Sequence, residues 1–171
     1  MQMKKDLLKA KGFTLIELLL VIAIIAILAL LIFVALDPAT RFEDARDSRR
    51  FSDVNNILTA IKVDQVDNKG SYMTNITSAT ASEIYMIGDC TSGATSTPVT
   101  NYCTTDPTQD VCVDLAGLVT DGYLGSIPVS PNGSGTWTAS TTGYTIAKTP
   151  SGSVTIRACE NENTTEITLT R

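Results

Sequence analysis

The apolar positions of this chain follow three successive patterns. From Leu18 to Leu36 nineteen residues in a row are apolar. A helix over Phe13–Leu36 would be about 36 Å long at 1.5 Å per residue, enough to cross a bilayer. From Ala39 onward the pattern is amphipathic: Phe51, Val54, Leu58 and Ile61 recur at steps of three and four with Ile57 on the same stripe, while Asn55, Asn56, Lys62 and Asp64 face elsewhere. This predicts a second helical stretch to about Asn68, stopped by Gly70. Between the two, Asp37-Pro38 predicts a kink with Asp37 as cap, because proline disfavours helical geometry in the residue before it and suits the first position of a new helix.

Beyond Gly70 the chain is dense in Ser, Thr and Asn. Residues 70–107 read as loop, and Val111–Val119 as a short helix built on Leu115, Leu118 and Val119 and ended by Asp121-Gly122. Alternation then takes over at Tyr144 and Ile146, at Val154 and Ile156 after the turn TPSG, and at Ile167 and Leu169 after NEN. The expectation is an α+β fold in which a long N-terminal helix, half hydrophobic and half amphipathic, packs on a small antiparallel sheet with Trp137 in its core. The segments are 1–12, a basic leader; 13–36, the hydrophobic helix; 37–69, its amphipathic continuation; and 70–171, the β head.

One acid interrupts the apolar helix. Glu17 stands in a run whose other polar group is Thr14, and a carboxylate at the centre of a bilayer costs roughly 2.5–3.5 kcal/mol on insertion scales. Lys4, Lys5, Lys9 and Lys11 precede it against Asp6, so the positive-inside rule keeps Met1–Lys11 in the cytoplasm and sends the remainder outward. A cleaved secretory signal would need an apolar core of about 7–15 residues and a small-x-small site. This core is longer, and its far end reads FVALDPATRF. A plain signal anchor fits everything except Glu17.

Composition narrows the chemistry. The chain has 171 residues, one domain with an appendage by length, and no histidine, which removes Ser-His-Asp and Cys-His catalysis and histidine metal sites. No catalytic residue, metal or cofactor is expected. Net charge is −5; the first twelve residues carry +3, which leaves −8 from Phe13 on. Such an acidic body is a poor match for a phosphate backbone, so nucleic acid is not expected as the main partner.

The motif Lys11-Gly12-Phe13-Thr14-Leu15-Ile16-Glu17 resembles the cleavage and methylation motif of type IV prepilins and of the pseudopilins of type II secretion. The resemblance covers about the first forty residues. It implies that a prepilin peptidase/methyltransferase cuts between Gly12 and Phe13 and methylates the new Phe13 amine, so that the helix stays with the mature protein. Gly12, lacking a Cβ, lets a protease approach the backbone closely. The family assigns Glu17 to pairing with the Phe13 amine of a neighbouring subunit during assembly. The fold it implies is the pilin-like helix-on-sheet arrangement already expected. Many members bend the helix with a proline where this chain has Val34. Gly122-Tyr123-Leu124 and Ile127-Pro128 match a further family segment, with Ser130 in place of the acid before Pro131. Major pseudopilins carry a calcium loop beyond this point. Here the loop reads NGSGTWTASTTG without a carboxylate, and calcium usually takes several, which favours a filament pilin.

The function so implied is a structural subunit of a type IV pilus-like filament, held in the inner membrane as a single-pass precursor with its head outside and then carried in an extracellular pilus. Its partners would be identical subunits, the peptidase, and the pilus assembly platform with its ATPase. The alternatives are a type II pseudopilin and a non-polymerising, signal-anchored receptor or adhesin. Four cysteines, Cys90, Cys103, Cys112 and Cys159, suggest two disulfides in an exported head. Three connectivities are possible, with Cys90–Cys103 and Cys112–Cys159 favoured. Glu43–Arg46, Asp47–Arg50 and Arg49–Asp53 stand at helical spacing and read as a solvated face, with intersubunit ion pairs as the sharper reading. Asp106, Asp110 and Asp114 read as a solvated acidic segment, and the sequons at Asn75, Asn132 and Asn163 as surface markers.

Overall fold

The computed structural model describes residues 12–90, 103 and 112–171. The leader lysines, Asp106 and Asp110 lie outside the described residues. Two compact units are found, 1–41 and 42–171.

The first unit is dominated by α1, Leu15–Leu36. None of its residues is buried. Left in water, an apolar surface of this extent would cost on the order of tens of kcal/mol at 1.5–3 kcal/mol per large side chain, so the helix demands lipid or other helices around it. It ends where Asp37 adopts a left-handed conformation, φ 37°. The next helix, α2, begins at Pro38 and runs to Asp67. The Asp37 carbonyl accepts from the Arg41 amide at 3.3 Å and its carboxylate from the Thr40 hydroxyl at 2.7 Å. The expected break is therefore present, with Asp37 closing one helix and opening the other.

In the second unit α2 buries Val54, Ile57, Leu58 and Ile61, the stripe that its periodicity marks. It ends through left-handed Lys69 and Gly70, and the Gly70 amide donates to the Gln65 carbonyl at 2.7 Å. A short helix α3, Thr74–Thr77, leads to β1, Ile84–Ile87. After it come β2 (Cys112–Val113), the short helix α4 (Ala116–Thr120), β3 (Tyr144–Lys148), β4 (Val154–Ala158) and β5 (Thr168–Thr170).

The sheet order is β2-β1-β3-β4-β5. The pairs β3–β4 and β4–β5 are antiparallel as expected; β1, which was not expected, pairs antiparallel with β3 and parallel with β2, so the sheet is mixed. The α2 stripe packs with Tyr85, Ile87, Tyr144, Ile146, Val154, Ile156 and Ile167 in one core. On the other side Met86, Trp137 and Cys159 form a smaller cluster. Gly88 sits where the loop after Trp137 crosses the sheet; a Cβ there would lie 2.1 Å from the Ser140 carbonyl oxygen.

Two expectations are corrected. Residues 70–107 are not all loop, since α3 and β1 fall within them. The segment Val111–Val119 is not one helix either, because Cys112–Val113 is drawn into the sheet before α4 starts at Ala116.

Candidate functional site

The N-terminus of α1 is built by Thr14 and Glu17. Thr14 is the N-cap, with extended backbone (φ −81°, ψ 151°). Its hydroxyl accepts from the Glu17 amide at 3.2 Å, and Glu17 Oε2 accepts from the Thr14 amide at 2.8 Å and from its hydroxyl at 2.7 Å. This reciprocal capping box satisfies amide groups that a helix start leaves open, and it places the carboxylate at the positive end of the helix dipole. Both bonds that the carboxylate accepts among the described residues fall on one oxygen, Oε2. The box was missed in the sequence, although the spacing Thr-x-x-Glu signals it.

Phe13 is 85% exposed and directly precedes this cap. Among the described residues nothing lies within 4 Å of a Cβ built on Gly12. Gly12, Phe13 and Glu17 lie within one short stretch at the entry to a helix that is apolar beyond Glu17.

A second charged constellation lies in the other unit, where the sequence suggested a solvated face. Arg50 is fully buried, Asp47 is 3% exposed and Glu160 is 5% exposed. Arg50 donates from Nη1 to Asp47 at 2.8 Å and to Glu162 at 2.7 Å, from Nη2 to the Pro131 carbonyl at 3.0 Å and Glu160 at 3.2 Å, and from Nε to the Ser130 hydroxyl at 3.2 Å. Arg46 makes a second, forked contact with Glu162. The Asp47 carboxylate receives the backbone amides of Glu162, Asn163 and Thr164 at 2.9–3.2 Å. Burial pushes the Asp47 acid up, but these amides and Arg50 outweigh it and hold it below its usual value. Glu162 is held low first by Arg46 and then by Arg50.

Glu160 gathers the loop that follows Pro131: the Ser134 and Gly135 amides and the Trp137 indole N–H all donate to it. Of the expected helical pairs, Asp47–Arg50 forms within the chain, Arg49–Asp53 stands at 3.8 Å, and Arg46 pairs with Glu162. The clasp is intramolecular because the stretch after β4 carries two acids, Glu160 and Glu162, that meet the inward side of α2, a long-range match that helical spacing does not contain.

The cysteines form Cys90–Cys112 and Cys103–Cys159, not the favoured Cys90–Cys103 and Cys112–Cys159. The parallel register that sets Cys112 opposite Met86 brings it to the end of β1, near Cys90. Cys159, just past β4, is left for Cys103. The sequon side chains Asn75, Asn132 and Asn163 are exposed, each engaged in a hydrogen bond, to the Asp114 carbonyl, the Trp137 amide and Asp44 respectively.

The family described as the prokaryotic N-terminal methylation motif matches residues 7–33. Those residues therefore carry the prepilin-type signal of type IV pilins and pseudopilins. No curated protein and no solved structure matches the chain.

Proposed function

With a prepilin-type signal as premise, we propose that this protein is a structural subunit of a type IV pilus-like filament. The precursor sits in the inner membrane through residues 13–36 with its leader inside and its head outside. Cleavage after Gly12 and methylation of Phe13 release a subunit that the assembly platform and its ATPase draw into a helical polymer of identical chains. The protein contributes no covalent chemistry of its own to these steps; it supplies shape, an apolar rod and a charge.

The observation that supports this reading best is the capped Glu17 at the start of a helix with no buried residue. Cleavage after Gly12 leaves Thr14 and Glu17 in the mature chain, so the capping box survives processing. Glu17 Oε2 is committed to Thr14, and Oε1 then faces the Phe13 amine of the adjoining copy. An unpaired charge among apolar helices costs several kcal/mol, so the pairing fixes the axial register between subunits.

Residues 130–137 favour a pilus over a pseudopilus. Their organising charges are the Glu160 carboxylate and the Arg50 guanidinium, and the loop brings no acid for a calcium ion.

Mass and N-terminal analysis of fibres sheared from cells tests the reading. The expected product begins at N-methylated Phe13 and comes from outside the cell. Polymer found only within the envelope would favour the pseudopilin. An uncut chain that reaches the surface would favour the anchored receptor.

A further inference from the structure

Asn-Gly occurs once in the chain, at Asn132-Gly133, in the loop that Glu160 and Arg50 gather. A glycine after an asparagine leaves its nitrogen open to the side-chain carbonyl carbon, because no Cβ stands in the way. Both residues are exposed. Among the described residues the Gly133 amide donates to nothing, and Asn132 Nδ2 has no hydrogen-bond partner. The nitrogen placed to attack and the nitrogen placed to leave are both uncommitted.

The Asn132 side-chain oxygen is committed: it accepts from the Trp137 backbone amide at 2.9 Å. A donor fixed on that oxygen draws electron density from Cγ and stands where negative charge gathers as Cγ becomes tetrahedral, the arrangement of an oxyanion hole. The Asp-Gly pair at Asp121-Gly122 lacks these conditions, since the Gly122 amide donates to the Val119 carbonyl at 3.2 Å and an ionised carboxylate is a poor electrophile. The clasp itself dictates the glycine at 133. A Cβ there would lie 2.5 Å from Glu160 Oε1 and 2.8 Å from Glu162 Oε1. Neither carboxylate is free to yield, because Glu160 holds the Ser134, Gly135 and Trp137 N–H groups and Glu162 holds Arg46 and Arg50.

We propose that Asn132 is a site of spontaneous conversion to isoaspartate and aspartate, with water as the co-reactant, and that the conversion loosens the clasp. The Gly133 nitrogen gives its proton to solvent and bonds to Asn132 Cγ; the Cγ–Nδ2 bond breaks, and Nδ2 takes up a proton and leaves as ammonia. Water then opens the resulting cyclic imide. Cleavage of the Cγ–N bond restores the main chain as aspartate, whereas cleavage at the main-chain carbonyl carbon routes the chain through Cγ as isoaspartate. Nothing is oxidised or reduced, and the sum is amide plus water giving acid plus ammonia. The isoaspartate product lengthens the main chain by a methylene between two anchors, the Pro131 carbonyl on Arg50 Nη2 at 3.0 Å and the Ser134 amide on Glu160 Oε1. Either product also adds a negative charge next to Gly133, where Glu160 and Glu162 already stand, and like charges at close range disfavour one another.

The test incubates the full chain in detergent micelles, folded or unfolded in urea, at a series of pH values. Peptide masses read the change from amide to acid, fragment ions tell isoaspartate from aspartate, and urea midpoints reported by Trp137 are taken at the same times. In the folded chain Asn132 should convert faster than the other described asparagines by about tenfold or more, a barrier lower by about 1.4 kcal/mol. The rate should climb with pH, because the attacking nitrogen must first shed its proton, and the urea midpoint should fall as the product accumulates. Asn132→Gln keeps an amide at this position but would have to close a larger ring, so its mass and its midpoint should both hold steady. Asn132 left intact in the folded chain after the unfolded chain has converted overturns the proposal. Conversion no faster than at the other asparagines, or a converted chain with an unchanged midpoint, overturns it as well.

Discussion

Replacing Arg50 by methionine keeps most of the aliphatic stem and removes the guanidinium from the centre of the clasp. Its five N–H donors meet five acceptors, the full capacity of an arginine. Breaking a buried ion pair by deleting one partner costs about 3–5 kcal/mol. The structure places this case near the lower figure, because the acids left behind are not stranded. Asp47 keeps three backbone amides, Glu160 keeps Ser134, Gly135 and the Trp137 indole, and Glu162 keeps Arg46. A loss of about 3 kcal/mol is expected, a large share of the 5–15 kcal/mol typical of a domain. Urea unfolding of the full chain in micelles measures it, reported by Trp137, the single tryptophan, whose N–H lies 3.0 Å from Glu160. A double-mutant cycle with Glu162→Gln should give a coupling of about 0.5–3 kcal/mol. A loss below about 1 kcal/mol for Arg50→Met would show that the clasp is a bystander and that the apolar stripe alone seats the helix.

The same clasp sets an acid limit. Asp47 and Glu162 titrate lower in the folded chain than when unfolded, so the unfolded state binds more protons; the stabilisation is complete above their ordinary values near about 4 and is lost as pH falls through the lowered folded values. Urea midpoints should drop between about pH 5 and pH 2, and a flat profile contradicts this. Glu17→Ala should leave processing and membrane insertion intact while abolishing fibres, scored by shearing and electron microscopy; normal fibres would refute the role given to the acid. A bulky residue at Gly12 should leave precursor of full mass, and efficient cutting of that variant counts against the cleavage site. Non-reducing peptide mapping should recover Cys90 linked to Cys112 and Cys103 linked to Cys159. From separations of 22 and 56 residues, the chain-entropy relation gives about 3 and about 4 kcal/mol for the loss of either alone.

What the sequence discloses and what it hides divide along physical lines. The apolar run, the Asp37-Pro38 break, the stripe of Val54, Ile57, Leu58 and Ile61, and the alternation in β4 are local periodicities, and a local pattern survives without knowledge of its neighbours. Strand β1 was hidden because Tyr85 and Ile87 enter one core while Met86 enters another, so burial on both faces erases the alternation. Arg50 and Asp64 look like surface residues for a different reason. Their burial depends on elements far along the chain, and a charge at helical spacing carries no mark of what will cover it. The disulfide pairing likewise rests on a parallel register that two residues of β2 cannot announce. At the candidate site the isolated acid was evident, whereas its reciprocal bonding with Thr14 needed the backbone geometry of the cap.

The distance along the chain between Asp47 and the amides that donate to it, about 115 residues, also dictates a timetable. At a synthesis rate of roughly 5–20 residues per second, some 6–23 s separate the appearance of the two halves. Throughout that interval Arg50 and Asp47 stay hydrated and α2 has no lock, while the shorter Cys90–Cys112 loop has all it needs to close. A nascent chain halted before Glu162 therefore leaves α2 unclasped, since the amides that hold Asp47 are made only after β4.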